Sequence, residues 1–342
     1  MRVVKLGLLV TFFAASLMPS ARAQDLAIIH NSGHSNSINT LAFSPDSRWI
    51  ASGSDDSTIK VWDRIGGRLL RTLTGHSKKV TWLGILPDAR TLVSLSGDEG
   101  IAKVWDASTG TVVRNLGALK NPSNDILQDK GALSVDGKFL FTNSSDAIRR
   151  IDLASGKVDR IFPKPGTFAT WQTFALSPDD RLIAAAHSVA LNAPLKYAAV
   201  GSQVKLLDAA TGRLVRVLGT HDTRESVTTI AFFPDGRLVA SGGYDGIARV
   251  WEVATGRLLF TLNHSEDARS RFLHTVTFSS DSRNIVTVGG KDGLKFWSAQ
   301  NGTLVRQLKG KPYEWSNVAT YSIGGDVLAS ASVAIELSRL LA

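Results

Sequence analysis

The chain of 342 residues contains no cysteine. Disulfide bonds, thiolate metal sites and lipid attachment to a cysteine are therefore excluded. Also missing are a Gly-x-Ser-x-Gly elbow, a phosphate-binding loop, a His-Glu-x-x-His zinc motif, a Gly-x-Gly-x-x-Gly loop and a Cys-x-x-Cys-His haem attachment. The common catalytic and cofactor motifs are absent, so we expect no enzyme activity, no bound cofactor and no metal site.

Long apolar runs are scarce, and the one near the N-terminus is short. Arg2 and Lys5 precede a largely apolar stretch from Leu6 to Leu17, and Ala21-Arg22-Ala23 offers small residues for cleavage. This pattern is typical of a secretory signal peptide over residues 1–23. We expect cleavage after Ala23, a mature domain of residues 24–342, and a soluble periplasmic or secreted protein without a transmembrane segment.

A tryptophan-containing motif recurs along the chain. Val61-Trp62-Asp63 returns as Val104-Trp105-Asp106 and, slightly altered, as Val250-Trp251-Glu252. The copies follow Gly33-His34, Gly75-His76 and Gly219-Thr220-His221, and in each a hairpin turn such as Ser44-Pro45-Asp46-Ser47-Arg48 joins two strand-like runs. Four strands per repeat with almost no helix signal predict a radial array of small β-sheets.

These motifs resemble those of WD40-repeat proteins, and the likeness covers nearly all of residues 33–308. Repeats one, two and five match well, while repeats three and four have Ile151 and Leu207 in place of the tryptophan. The resemblance implies an all-β, WD40-like β-propeller. Six units are complete; we expect residues 25–32 to supply the outer strand of a seventh blade, completed by the C-terminal stretch from Val318 to Leu337, because such closure removes unpaired sheet edges.

The resemblance also implies structural tetrads, in which a His, a Ser or Thr, an acid and the Trp of one repeat are linked by hydrogen bonds. Such a chain satisfies polar groups buried between sheets. In repeat two, Asp98 and Glu99 compete for the acid position. The tetrad residues expected are His34, Ser52, Asp56 and Trp62; His76, Ser94 and Trp105; His221, Ser241, Asp245 and Trp251; and His264, Thr287, Asp292 and Trp297. Repeats three and four lack the network, and we expect them to be less stable.

Basic residues recur at the turns as well. The net charge of +9 becomes +6 if the three basic residues of the signal peptide are removed. One interpretation is a ring that binds an anionic envelope polymer; the other, which we favour, is solvated turn charges paired with local aspartates. The side chains after the first hairpin turns are Arg48, Arg90, Lys138, Arg181, Arg237 and Arg283.

Three loops depart from the repeat, in repeats three, four and six, and all should emerge on the face opposite the basic turns. Loops of this kind often bind partners, since they are free of the packing that holds the blades. The candidate partner-binding residues are Leu191, Leu195, Lys196, Tyr197, Arg269, Arg271 and Phe272, and Leu273 is a further apolar candidate.

The sequence thus favours an exported, non-catalytic interaction scaffold that binds a protein or peptide through this face, as a monomeric propeller within a complex. We expect no sequence-specific binding of nucleic acid. Two alternatives stay open: a periplasmic propeller subunit of an enzyme or redox system, faintly similar to quinoproteins, and a binder of anionic envelope polymer.

Overall fold

The computed structural model describes residues 9–14, 28–29, 33–118, 127–144, 146–166, 169–190, 199–221, 226–265, 272–279, 281–308, 316–321 and 327–332. All regular structure in these ranges is β-strand except one turn of 3-10 helix at Gly290–Asp292. The prediction of an all-β propeller is confirmed.

The strands follow one another as antiparallel hairpins. Nearest the N-terminus are β1 (Leu9–Ala14) and β2 (Ile28–Ile29). Blade one contains β3 (Ile38–Phe43), β4 (Trp49–Ser54), β5 (Ile59–Asp63) and β6 (Leu69–Leu73). Blade two contains β7 (Trp82–Ile85), β8 (Thr91–Ser96), β9 (Ile101–Asp106) and β10 (Thr111–Ala118). Blade three contains β11 (Leu127–Leu133), β12 (Phe139–Ser144), β13 (Ala147–Asp152) and β14 (Val158–Pro163).

The second half of the described chain repeats this plan. Blade four contains β15 (Trp171–Leu176), β16 (Leu182–Ala190), β17 (Ala199–Asp208) and β18 (Leu214–His221). Blade five contains β19 (Val227–Phe232), β20 (Leu238–Gly243), β21 (Ile247–Glu252) and β22 (Leu258–Asn263). Blade six contains β23 (Thr275–Phe278), β24 (Asn284–Gly289), β25 (Gly293–Ser298) and β26 (Leu304–Leu308). The last strands are β27 (Ser316–Tyr321) and β28 (Val327–Ser332).

The structure shows six blades of four consecutive strands, where the sequence predicted seven. The remaining strands, from the two ends of the described chain, pair into a separate sheet in the order β2-β1-β28-β27. Its composition differs from the prediction, because β1 lies inside the segment expected to be a signal peptide and pairs with β28 over its full length, from Leu9 opposite Ser332 to Ala14 opposite Val327. Of the outer strand expected at 25–32, only Ile28–Ile29 is described as strand.

The blades are arranged radially around a central channel. The first strand of each blade contacts the first strand of the next, from β3 through β7, β11, β15 and β19 to β23, and β27 contacts both β23 and β3. The second strands are almost wholly buried, whereas the fourth strands are largely exposed. The core therefore lies between adjacent blades, where the apolar second and third strands pack face to face.

The alternation of hairpins fixes two faces. The turns within the first and last hairpin of each blade lie at one end of the strands, which we call the turn face. The turns between the second and third strands lie at the other end, together with the loops that join one blade to the next, and we call this end the loop face. On the turn face, Ser44 donates to Asp46, whose carboxylate accepts the amide of Arg48 at 3.1 Å; this Asx turn recurs at Asp136, Asp179 and Asp281.

Candidate partner-binding face

Hydrogen-bonded chains cross blades one and two from core to loop face. In blade two, Trp105 Nε1 donates to Ser94 Oγ (2.7 Å), Ser94 bonds His76 Nε2 (2.7 Å), and His76 Nδ1 donates to Glu99 (2.7 Å). Glu99 therefore holds the position for which Asp98 also competed. Blade one has the same chain through Trp62, Ser52, His34 and Asp56, with distances of 2.8, 2.7 and 2.8 Å.

Blade five repeats the chain, and its acid carries a second partner. Trp251 Nε1 donates to Ser241 Oγ at 3.2 Å, and the same hydroxyl bonds His221 Nε2 at 2.8 Å. His221 Nδ1 in turn bonds Asp245 at 3.1 Å. Arg249 also donates to Asp245, at 2.7 Å. This acid is therefore held from two sides in a buried site.

Blade six differs from the predicted tetrad. Trp297 and His264 Nδ1 both bond the Thr287 hydroxyl at 2.8 Å, but His264 Nε2 donates to the carbonyl oxygen of Gly289 at 2.9 Å. Both ring nitrogens are thus engaged, and none remains for Asp292. The predicted acid is replaced by a backbone carbonyl because the turn of repeat six is one residue shorter and runs as a 3-10 turn.

Blade three, which lacks the histidine and tryptophan, has a different polar cluster. Arg149 donates to Ser144 and, with distances of 3.1 and 3.0 Å, to both carboxylate oxygens of Asp146. The guanidinium group satisfies the acid that a histidine satisfies elsewhere.

The acids of blades one and two also hold the loops of the loop face. Asp56 accepts the amide of Ser35 at 3.0 Å, and Glu99 accepts the amides of Ser77 and Lys78. Burial alone would raise the pKa of Glu99, but hydrogen bonds from His76 and Ser77 outweigh it and lower the pKa to about 2. The carboxylates stay ionised at neutral pH, so they keep accepting from the amides of these loops.

Between these fixed loops lies a groove of about 660 Å³ that spans blades one, two and three. It is polar: a pocket for an apolar small molecule would be lined mainly by apolar side chains. Its lining residues are Asn36, Asn39, Asp55, Ser57, Ser77, Lys78, Lys79, Thr81, Asp98 and Lys130.

The groove charges are partly paired. Asp98 lies 3.7 Å from Lys79, with both side chains about two-fifths exposed. Asp55 accepts from Asn39 Nδ2 at 2.8 Å, and the same amide donates to the carbonyl of Val80 at 3.1 Å. Within the described part of the chain Lys78 forms no ion pair, and its side chain is exposed. The arrangement offers an ammonium group and several hydrogen-bonding groups to a polar ligand.

An aromatic cluster occupies the loop face at blades five and six. Phe272 packs edge-on against Tyr244, with ring centroids 5.4 Å apart, and stacks against His274 at 6.4 Å. Tyr244 is 39% exposed. An exposed tyrosine supported by a second ring is typical of the residues that anchor protein interfaces.

Most of the predicted partner-binding residues lie outside the residues that the structure describes. Leu191, Leu195, Lys196, Tyr197, Arg269 and Arg271 fall outside the described residues. Phe272 is described and half-buried in the aromatic cluster. The expectation that Leu273 is exposed is wrong: it is fully buried in the core of blades five and six, where Gly242, which has no side chain, leaves room for it.

Sequence reasoning missed the groove residues and Tyr244. A positional signal marks some of them, since Asp55, Asp98 and Tyr244 each directly precede a tetrad acid and Lys78 follows the second Gly-His pair by two residues. The register of the repeat therefore places them at the loop face.

The basic residues of the turn face have local partners. The first-turn set pairs with aspartates of the same blade, at distances from 2.6 Å for Arg90–Asp106 to 3.9 Å for Arg283–Asp281. The field of the ring is thus largely cancelled, which favours solvated local ion pairs over a polyanion site. In the described residues no three His, Asp or Glu side chains converge as a metal site, and no helix is long and apolar enough to cross a membrane.

Comparison with known proteins identifies the repeat. The family described as "WD domain, G-beta repeat" matches residues 27–63, 67–106 and 212–252. Periodic tryptophan protein 2 of Arabidopsis thaliana is 28% identical over 309 residues, covering 82% of this chain and 31% of that protein. Nuclear distribution protein PAC1 of Arthroderma otae is 28% identical over 345 residues, covering 93% of this chain and 60% of that protein. This chain therefore spans less than two thirds of either relative.

A third relative is the guanine nucleotide-binding protein subunit beta of Oryza sativa subsp. indica, 26% identical over 286 residues, covering 76% of this chain and 69% of that protein. None of the three names denotes an enzymatic activity.

The relatives overturn the predicted location. They are intracellular eukaryotic proteins, named for nuclear distribution and guanine-nucleotide binding, and not periplasmic or secreted proteins. The prediction of a periplasmic or secreted protein is therefore wrong. It rested on the short apolar stretch near the N-terminus, of which residues 9–14 instead form strand β1. The three matched segments are WD40 repeats, and the blades and the relatives are those of WD40-repeat β-propeller proteins.

Proposed function

We propose that this protein is a non-catalytic interaction scaffold that binds a protein segment across its loop face. The observation that carries the proposal is the polar groove, whose walls are loops held by the ionised tetrad acids Asp56 and Glu99. Loops held in this way need little ordering on association, which reduces the entropic cost of binding. The relatives give further support, since they are WD-repeat proteins and one is named as a subunit.

A substitution that fills the groove tests this function. Ser77→Trp places a large ring at the groove wall, where Ser77 is exposed and where its backbone amide, which the variant keeps, bonds Glu99. Ala210→Trp adds the same ring at an exposed turn on the opposite face. We expect Ser77→Trp to remove the proteins that co-purify with the chain and Ala210→Trp to retain them. Equal retention by both variants would reject the loop face as the binding surface.

We further propose that the sheet β2-β1-β28-β27 closes the ring between blade six and blade one. The chain then forms a monomeric propeller, which takes part in a complex. Its support is that β27 contacts the channel strands of both neighbours. Deletion of residues 1–14 removes β1, whereas deletion of residues 1–8 leaves it. We expect only the longer deletion to lower the midpoint of thermal unfolding, because it exposes the edge of β28; equal midpoints would contradict this closure.

A further inference from the structure

The groove and the aromatic cluster lie on opposite sides of one channel mouth. Lys130, which lines the groove, belongs to the channel strand β11, and His274 directly precedes the channel strand β23. Both strands belong to the ring of first strands that surrounds the central channel. Burial lowers the pKa of His274, and the charge of Lys130 lowers it further. The two features can therefore contact a single extended segment.

The groove side of the mouth selects for negative charge. Its lining holds three lysines, at positions 78, 79 and 130, and two aspartates, which leaves one positive charge in excess. Asp98 is paired with Lys79, and Asp55 accepts from the neutral amide of Asn39. Lys78 has no ion pair in the described part of the chain, and Lys130 adds a second cation to the same lining. The chain as a whole carries a net charge of +9, which attracts acidic partners over longer distances.

The aromatic side of the mouth is built as a rigid apolar anchor. The amide of Leu273 donates to Gly243 at 3.2 Å, and a methyl group built on Gly289 would lie 1.9 Å from the carbonyl oxygen of Phe272. The carbonyl of Gly289 is in turn held by His264. The blade-six network thus fixes the backbone beneath Phe272, and Phe272 supports the exposed ring of Tyr244.

We infer that the loop face binds an acidic segment that carries an aromatic or aliphatic side chain, with carboxylates beside Lys78 and Lys130 and the apolar side chain against Tyr244 and Phe272. This inference rests on the proposed function and names the chemistry of its partner.

The probe is a short fluorescein-labelled peptide in which glutamates flank one phenylalanine, measured by fluorescence anisotropy with the full chain. Its counterparts carry lysine for every glutamate, or alanine for the phenylalanine. We expect the acidic peptide to bind, its affinity to fall as salt is added, and the lysine peptide to bind at least tenfold more weakly. The alanine peptide should lose about fivefold.

Charge reversal at one site separates local from overall charge. Lys78→Glu should weaken the acidic peptide about tenfold, and Tyr244→Ala about fivefold. Lys157→Glu makes the same change in net charge at an exposed turn on the opposite face and should change the affinity less than twofold. Circular dichroism checks that all three variants are folded.

Equal weakening by Lys78→Glu and Lys157→Glu would overturn the inference, because only overall charge would then matter. Absence of binding by the acidic peptide at low salt would also overturn it. Tighter binding by the lysine peptide that is lost in Tyr244→Ala would overturn the acidic specificity while leaving the loop face intact. The proposed function fails separately, if Ser77→Trp leaves co-purifying partners in place.

Discussion

Replacing Ser94 by alanine removes the central hydroxyl of the blade-two chain. Ser94 is fully buried, and its Oγ bonds both Trp105 Nε1 and His76 Nε2 at 2.7 Å. The substitution leaves an indole N–H and an imidazole nitrogen buried without a partner. Each unsatisfied group costs about 1–3 kcal/mol, so we expect the free energy of unfolding to fall by about 2–6 kcal/mol.

A second serine on the same strand supplies the control. Ser96 is also fully buried in β8, but its hydroxyl makes no hydrogen bond among the described residues. Ser96→Ala deletes the same atom and should be neutral or stabilise the chain by about 1 kcal/mol. Urea denaturation followed by tryptophan fluorescence measures both values. Equal losses in the two variants would refute the claim that the hydrogen-bonded chain, rather than packing, stabilises the blade.

Three further predictions concern the same framework. Burial lowers the pKa of His264 from 6.5 to about 4, so the contribution of the neutral imidazole to stability is complete above pH 6.5 and falls as pH drops toward 4, by about 2 kcal/mol at pH 5. In urea denaturation, His264→Gln should therefore reduce the dependence of the free energy of unfolding on pH. An unchanged pH dependence would exclude His264 as its source. Arg216 donates to the carbonyls of Thr255 and Ala254 in the next blade, so Arg216→Ala should lower the free energy of unfolding by about 1–2 kcal/mol. The control Arg181→Ala, at an exposed position, should lower it by under about 0.5 kcal/mol. Equal losses would show that the hydrogen bonds of Arg216 between the blades do not stabilise the fold. Gly289→Ala should displace Phe272 and lower the free energy of unfolding by about 3 kcal/mol. The control Gly166→Ala, with no atom within 4 Å of the added methyl group, should change it little. Similar midpoints of thermal unfolding in the two variants would show that the backbone at Gly289 is not tightly packed.

The repeat allowed much of the fold to be predicted. A tryptophan at regular spacing, preceded by hairpin turns that contain an aspartate, specifies strand order and turn chemistry, because each residue recurs in an equivalent environment. The exchange of Asp292 for the Gly289 carbonyl could not be predicted, since it depends on one residue of turn length. Residues 9–14, predicted to belong to a signal peptide, form strand β1 in the structure. A short apolar run suits a signal peptide, a buried helix or a strand, and periodicity alone does not separate them.

The candidate site could be predicted from the sequence less well than the fold. Asp55, Lys78 and Lys130 stand in different repeats and share no motif, and only the ring brings them to one groove. Tyr244 and Phe272 are separated in the sequence by two strands, β21 and β22, yet touch on the loop face. Phe272 was predicted from the sequence as a partner-binding residue because its loop is unusually long, but Leu273 beside it is buried in the core. Loop length identifies a region, and only packing decides which side chains are exposed.

Site-specific photo-crosslinking determines whether the partner contacts the loop face. A photoreactive phenylalanine analogue is placed at Ser77 on the loop face and, in a second protein, at Ala210 on the turn face; both positions are exposed. After irradiation in an extract of the native cells, mass spectrometry identifies the covalent adducts. We expect one recurrent partner to be captured from position 77 and not from position 210. Capture of the same partner from position 210 alone would contradict it.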